Sequence, residues 1–137
     1  MVSPYVAGFM KRVWISSRGV PMMPCVLTRS RQGGTPQALK NAIDYLFSEW
    51  NDKSGAAIGY GTLGAARAVE HLRLIGVELQ MVPVRNAVHI GGGDFFKVHP
   101  LGANAPIEDI EANLLPAATA TLDDVVWWAN AAKAAKA

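Results

Sequence analysis

The stretch GAAIGYGTLGAARAVEHLRLIGVEL, residues 55–79, constrains the fold more than any other part of the chain. Its opening GAAIGYG is small and apolar, which fits a buried strand running into a glycine-rich turn. A helix is then expected from about Leu63 to Leu79. Ala66, Val69, Leu72 and Ile75 fall on one side of it, and Arg67, Glu70, Arg73 and Glu78 on the other.

The flanking segments repeat this strand-to-helix theme. PCVLT, residues 24–28, is a short β-prone run. Thr35 is placed to cap a helix and Pro36 to occupy its first position, where a missing N–H costs nothing. Ala38, Leu39, Ala42, Ile43, Leu46, Phe47 and Trp50 then keep helical spacing until NDKSG ends the element, so a helix is predicted over 36–50. QMVPVRNAVHI, residues 80–90, is a third strand candidate whose beginning Pro83 demotes to a loop or an edge. GGGDFFKVHPLGANAP reads as a long loop. The last helix is expected to open at Thr121, with Asp124 completing a capping box. Leu122, Val125, Val126, Ala129 and Ala132 would form its inner face, and of Trp127 and Trp128 one would be core and the other a contact surface.

This β–α–β–α–β–loop–α order calls for a parallel sheet with right-handed crossovers, in one α/β domain. The turns 29–35 and 60–64 then share the carboxyl edge of the sheet, where open α/β folds bind ligands.

Charge and composition exclude several function classes. No apolar run approaches the roughly 20 residues that span a bilayer. Cys25 is alone, which removes a disulfide framework and a thiolate metal site and makes a reducing, cytoplasmic setting the default. Net charge is +2, yet residues 1–43 carry six basic and no acidic side chains, leaving 44–137 at −4. A secretory signal does not fit Lys11–Arg12. A transit peptide stays open on the Arg- and Ser-rich, acid-free composition, although Gly19, Pro21 and Pro24 break the helix it would need. A nucleic-acid arm lacks aromatic interleaving, so no nucleic-acid partner is expected.

In GYGTLGAAR, residues 59–67, the small residues let backbone approach a flat or anionic ligand, and the N–H groups opening the helix can receive negative charge. Tyr60 could stack on an aromatic ring. A tight structural turn is the alternative, because neither the Walker spacing nor the dinucleotide fingerprint is present. RSRQGG, residues 29–34, offers Arg29 and Arg31 to a phosphate, or is a surface turn. His71, His89 and His99 show no metal-ligand spacing; His71 reads as solvated and His89 as structural. Asp123–Asp124 reads as helix capping. No nucleophile–base arrangement is defensible, so no catalytic side chain is assigned.

Residues Gly33 to Ile90 closely resemble the NADPH-dependent flavin mononucleotide (FMN) reductases. Leu39, Lys40, Asn41, Ala42, Ile43 and Asp44 match that family's L-K-N-A-I-D, and Glu49–Trp50 its E-W. Tyr60–Gly61, Gly64, Arg67–Ala68 and Leu72–Arg73 match its S-Y-G-x-x-G-G-x-R-A-x-x-x-L-R block, and LDDVVWWANAAKAA looks like its closing helix. The resemblance implies a flavodoxin-like three-layer parallel sheet and an oxidoreductase passing hydride from NADPH to FMN and on to a flavin, quinone or similar acceptor. It implies FMN-ring contacts from Thr28, Gln32, Gly33 and Gly34 in one turn and from Tyr60, Gly61, Gly64 and Ala65 in the other. It also implies a homodimer through the helix at 36–50.

Two departures accompany the match. The family's phosphate loop, Gly-Ser-x-Arg-x-x-Ser in kind, has no counterpart in residues 1–23, so the fold is expected to be N-terminally incomplete, with 1–25 atypical and resemblance from about residue 26. Where the family has P-E-Y-N, this chain has Arg29-Ser30-Arg31-Gln32. Residues 1–32 are therefore read as a frameshifted or rearranged version of an ancestral segment, testable by translating the coding DNA in three frames. The alternative function is a non-catalytic truncated remnant that keeps only a dimerisation or interaction role.

Overall fold

The computed structural model describes residues 25–29 as backbone and residues 34–136. The expectations for residues 1–24, Gln32 and Gly33 lie outside the described residues. The α/β architecture follows from one strand. β2, Ser54–Tyr60, is buried along its whole length. β1, Cys25–Arg29, pairs with it in parallel, with Thr28 beside Gly59 and Arg29 beside Tyr60. On the other side of β2 lie two short parallel pieces. β3, Val82–Pro83, pairs with Ser54–Gly55, and β4, Val88–Ile90, pairs with Ile58–Tyr60. The third strand candidate is thus split. The N–H groups of Val82 and Val84 donate at 2.9 Å to the carbonyls of Lys53, just before β2, and of Gly55 within it. The N–H that Pro83 lacks would point away from β2, so proline costs no ladder bond here.

Both faces of β2 are covered, and its alternation assigns the layers. Ala56, Ile58 and Tyr60 pack with residues of α3, Gly92–Val98, and α4, Glu111–Ala135. The Ser54 hydroxyl donates to the Val125 carbonyl of α4 at 3.1 Å. Gly55 and Ala57, on the opposite face, line an apolar cavity under Val69, Leu72 and Gly76 of α2, Ala66–Glu78. Small residues thus face α2 and larger ones face α3 and α4, giving a helix–sheet–helix, flavodoxin-like arrangement. Ile58 and Ile90 are almost fully enclosed, each contributing roughly 1.5–3 kcal/mol of apolar burial.

Several sequence expectations are corrected. The helix predicted over 36–50 is two pieces: α1, Gln37–Asp44, and a 3-10 turn, Ser48–Trp50. The Trp50 indole N–H donates to the Ile43 carbonyl at 3.0 Å, folding the chain back on α1. Thr35 does not cap α1; its hydroxyl donates to the Ala68 carbonyl of α2, and Pro36 stands at the N-cap without a side-chain bond. In α2, Ala66 is exposed, and the covered line is Ala68, Val69, Gly76 and Leu79.

The long loop after residue 90 contains a helix, α3, and a second 3-10 turn, Ile107–Ile110. Phe95 forms α3 around itself by burying its ring against Tyr60 and His99, at centroid distances of 5.0 and 4.6 Å. The last helix opens at Glu111 instead of Thr121, directly after the 3-10 turn. Thr121 is therefore buried in mid-helix, its hydroxyl donating to the Ala117 carbonyl at 2.7 Å. Asp123 and Asp124 do no capping; Asp124 accepts a bond from the Asn86 amide at 2.7 Å. The inner face is Leu114, Ala118, Thr121, Val125 and Ala129, with Val126 exposed. Trp127 and Trp128 are both exposed, packed edge to face on each other at 4.8 Å. Among the described residues, no helix is long and apolar enough to cross a membrane, and no group of metal-ligating side chains is assembled.

Candidate functional site

The turn between β2 and α2 is built almost entirely from backbone. Gly61 N–H donates to the Ile90 carbonyl at 3.1 Å, and Gly64 N–H closes the turn on Gly61 at 2.9 Å. In return Gly92 N–H donates to the Thr62 carbonyl at 2.9 Å, locking the turn to the end of β4. Gly64 and Ala65 take left-handed backbone, with φ of 60° and 51°. Only glycine does so without steric cost.

Three glycines meet where side chains cannot fit. A Cβ on Gly59 would lie 1.9 Å from the Gly64 carbonyl oxygen, and one on Gly91 would lie 2.6 Å from Gly64 nitrogen. One on Gly64 would lie 2.7 Å from the Cβ of His89. Gly59 and Gly64 of GYGTLG are thus required first for close contact within the turn and with His89 of β4. Beyond that contact, Gly92 and Gly93 face open space.

This construction leaves donors at the sheet edge. Ala65 is the N-cap of α2, with no side-chain bond and no acidic residue in the first turn. Among the described residues, the N–H groups of Thr62, Leu63, Ala65, Arg67 and Ala68 meet no acceptor. Unfilled N–H groups at a helix start carry partial positive charge and suit electron-rich atoms of a ligand. The donors and the close backbone approach fit the electron-rich edge of a flavin ring.

Tyr60, Gly61, Gly64 and Ala65 therefore lie in one turn, as the sequence places them. Thr28 joins them by register, beside Gly59 on β1. Gly34 is next to α2, where a Cβ would be 3.5 Å from the His71 ring, and the neighbouring Thr35 bonds Ala68. Tyr60 offers backbone rather than a ring face. Its side chain is 9% exposed, stacked on His99 and tilted against Phe95. His99 is buried as well, its Nδ1 accepting the Leu101 N–H at 3.1 Å. His71 is exposed, as expected.

Two features escaped the sequence. Gly91–Gly92 completes the turn from β4, and His89 reaches the Gly64 carbonyl oxygen with Nδ1 at 2.7 Å. The three consecutive glycines at 91–93, beside a strand end, were the available signal.

Comparison with known proteins agrees with this geometry. Residues 27–94 match the family described as NADPH-dependent FMN reductase. The matched block runs from within β1 through α1, β2, the glycine turn, α2 and β4. This chain belongs to the NADPH-dependent FMN reductase family. An NAD(P)H-dependent FMN reductase of Nectria sp is 37% identical over 65 residues, covering 44% of this chain and 32% of the relative. That of Saccharomyces cerevisiae is 35% identical over 81 residues, covering 59% of this chain and 38% of the relative. One from Schizosaccharomyces pombe is 36% identical over 55 residues, 40% of this chain and 28% of the relative. The chain thus spans about a third of the length of the curated relatives it matches.

Proposed function

We propose that this chain binds FMN at the carboxyl edge of β1, β2 and β4 and acts as an NAD(P)H-dependent flavin oxidoreductase. The observation that carries the reading is the β2–α2 turn. It is a glycine-rich turn tied to β4 by backbone bonds, with unfilled N–H donors, and it lies inside the block shared with FMN reductases. Tyr60, Gly61, Gly64 and Ala65 would hold the ring through backbone, with Thr28 of β1 and, further along the chain, Gln32, Gly33 and Gly34 contributing as well. Those residues would hold FMN, which when bound would supply two-electron chemistry between a reduced nicotinamide and a flavin, quinone or similar small acceptor. The protein's own work is to orient the ring and keep donors aimed at its edge, which requires no acid–base side chain.

The proposal extends to assembly in a reducing, cytoplasmic setting, which the lone Cys25 fits. A homodimer would use the 37–50 segment, where Tyr45, Leu46 and Phe47 stand exposed beyond the end of α1. That patch also supports a second reading, a non-catalytic interaction module. Adding FMN to the purified protein, removing free flavin and then adding NADPH separates the two. Retained flavin that bleaches supports the enzyme; no retained flavin and no NADPH oxidation leaves the interaction module.

A further inference from the structure

We infer that His89 is a positioning residue for the glycine turn, and that it works only as the tautomer carrying its proton on Nδ1. Its Nδ1 lies 2.7 Å from the carbonyl oxygen of Gly64. A carbonyl oxygen can only accept, so Nδ1 must donate and the neutral ring must carry its hydrogen there. The bond falls at the point of greatest crowding. The same carbonyl is the group that any Cβ on Gly59 would strike, and the His89 Cβ is what one on Gly64 would strike. His89 thus fills the space the two glycines leave and anchors the peptide following Gly64. That peptide runs directly into Ala65, whose left-handed φ of 51° has no glycine to make it easy.

The consequence concerns the donors. Fixing the Gly64 carbonyl toward β4 turns the other side of that peptide, the Ala65 N–H, away from it, because the two groups of a trans peptide point in opposite directions. His89 therefore sets the orientation of a ligand-facing donor without touching the ligand. It also leaves Nε2 as a lone-pair acceptor on an exposed ring. The ligand half of this inference rests on the flavin reading; the tautomer and the turn geometry do not.

Two substitutions imitate the two nitrogens separately. Asn can present an amide N–H near the position of Nδ1, and Gln near that of Nε2. In FMN titrations of the full chain, His89→Ala and His89→Gln should each weaken binding about tenfold, the loss of one well-placed hydrogen bond. His89→Asn should restore most of it. Equal loss in the Asn and Ala variants, both folded by circular dichroism, would overturn the proposal. A two-bond ¹H–¹⁵N spectrum of the flavin-free protein supplies the independent readout. It should show the Nδ1–H pattern for His89, and an Nε2–H pattern would contradict the assignment whether or not FMN binds.

Discussion

The β2–α2 turn and the 34–50 segment both carry the family resemblance, yet they are held in different ways. The turn is fixed by reciprocal backbone bonds to β4, by a histidine, and by three positions with no room for a Cβ. The 34–50 segment is held by single side-chain bonds, Thr35 to Ala68 of α2 and, within the segment, Trp50 to Ile43, and it carries Tyr45, which is 89% exposed. A region fixed by steric exclusion tolerates no added atom. One fixed by single polar bonds loses them one at a time.

Breaking the first region should therefore have the largest effect. Gly59→Ala drives a methyl into backbone and should cost about 3 kcal/mol or more in urea unfolding, because no flexible side chain can move aside. Gly64→Ala adds left-handed strain to contact with His89 and should cost about 2–3 kcal/mol. If either variant matched the parent in stability, the crowded turn would not exist as described.

In the second region, Trp50→Phe keeps the apolar bulk and removes the indole donor. It should cost only about 1 kcal/mol, read by the same unfolding curve. Ala65→Gly sharpens the comparison in the other direction. It relieves about 1–2 kcal/mol of left-handed strain against a smaller gain in unfolded-chain entropy, so a stabilisation of about 0.5 kcal/mol is expected as a small rise in melting temperature.

The smallest effect is one of pH. The backbone N–H groups of Glu49 itself and then of Phe47 hold the Glu49 carboxyl below its ordinary value. A depressed folded-state value means the ionised form supports the 47–50 turn. That support is complete above the ordinary glutamate range and is lost as pH falls through the depressed value. Amide shifts of Phe47 and Glu49 should follow that titration, and Glu49→Gln should abolish it; an unchanged titration in the variant would break the assignment.

The same contrast explains what the sequence made legible. β2 could be read because burial on both faces selects small apolar residues whatever their partners. α2 could be read from its 3.6-residue period, although its covered face is turned toward Ala68 and Gly76. α3 could not, because three glycines at 91–93 read as loop and its stability comes from Phe95 meeting Tyr60 and His99 across the fold. The early start of α4 was hidden by Pro116, a local breaker accommodated in the second turn of a helix whose buried face begins at Leu114. At the candidate site, the glycines and a structural role for His89 were legible, but the partner of His89 was not. That pairing depends on the register that sets His89 beside Gly59, which no local pattern encodes.

The central claim is that the β2–α2 turn presents its free N–H groups to a flavin. Amide hydrogen exchange, resolved by residue with and without FMN, tests it most directly. Protection concentrated at Thr62–Ala68, with little change at the distant Asp52–Ser54 end of the sheet, is the predicted result. Bound FMN that leaves the 62–68 amides exchanging as before would contradict it.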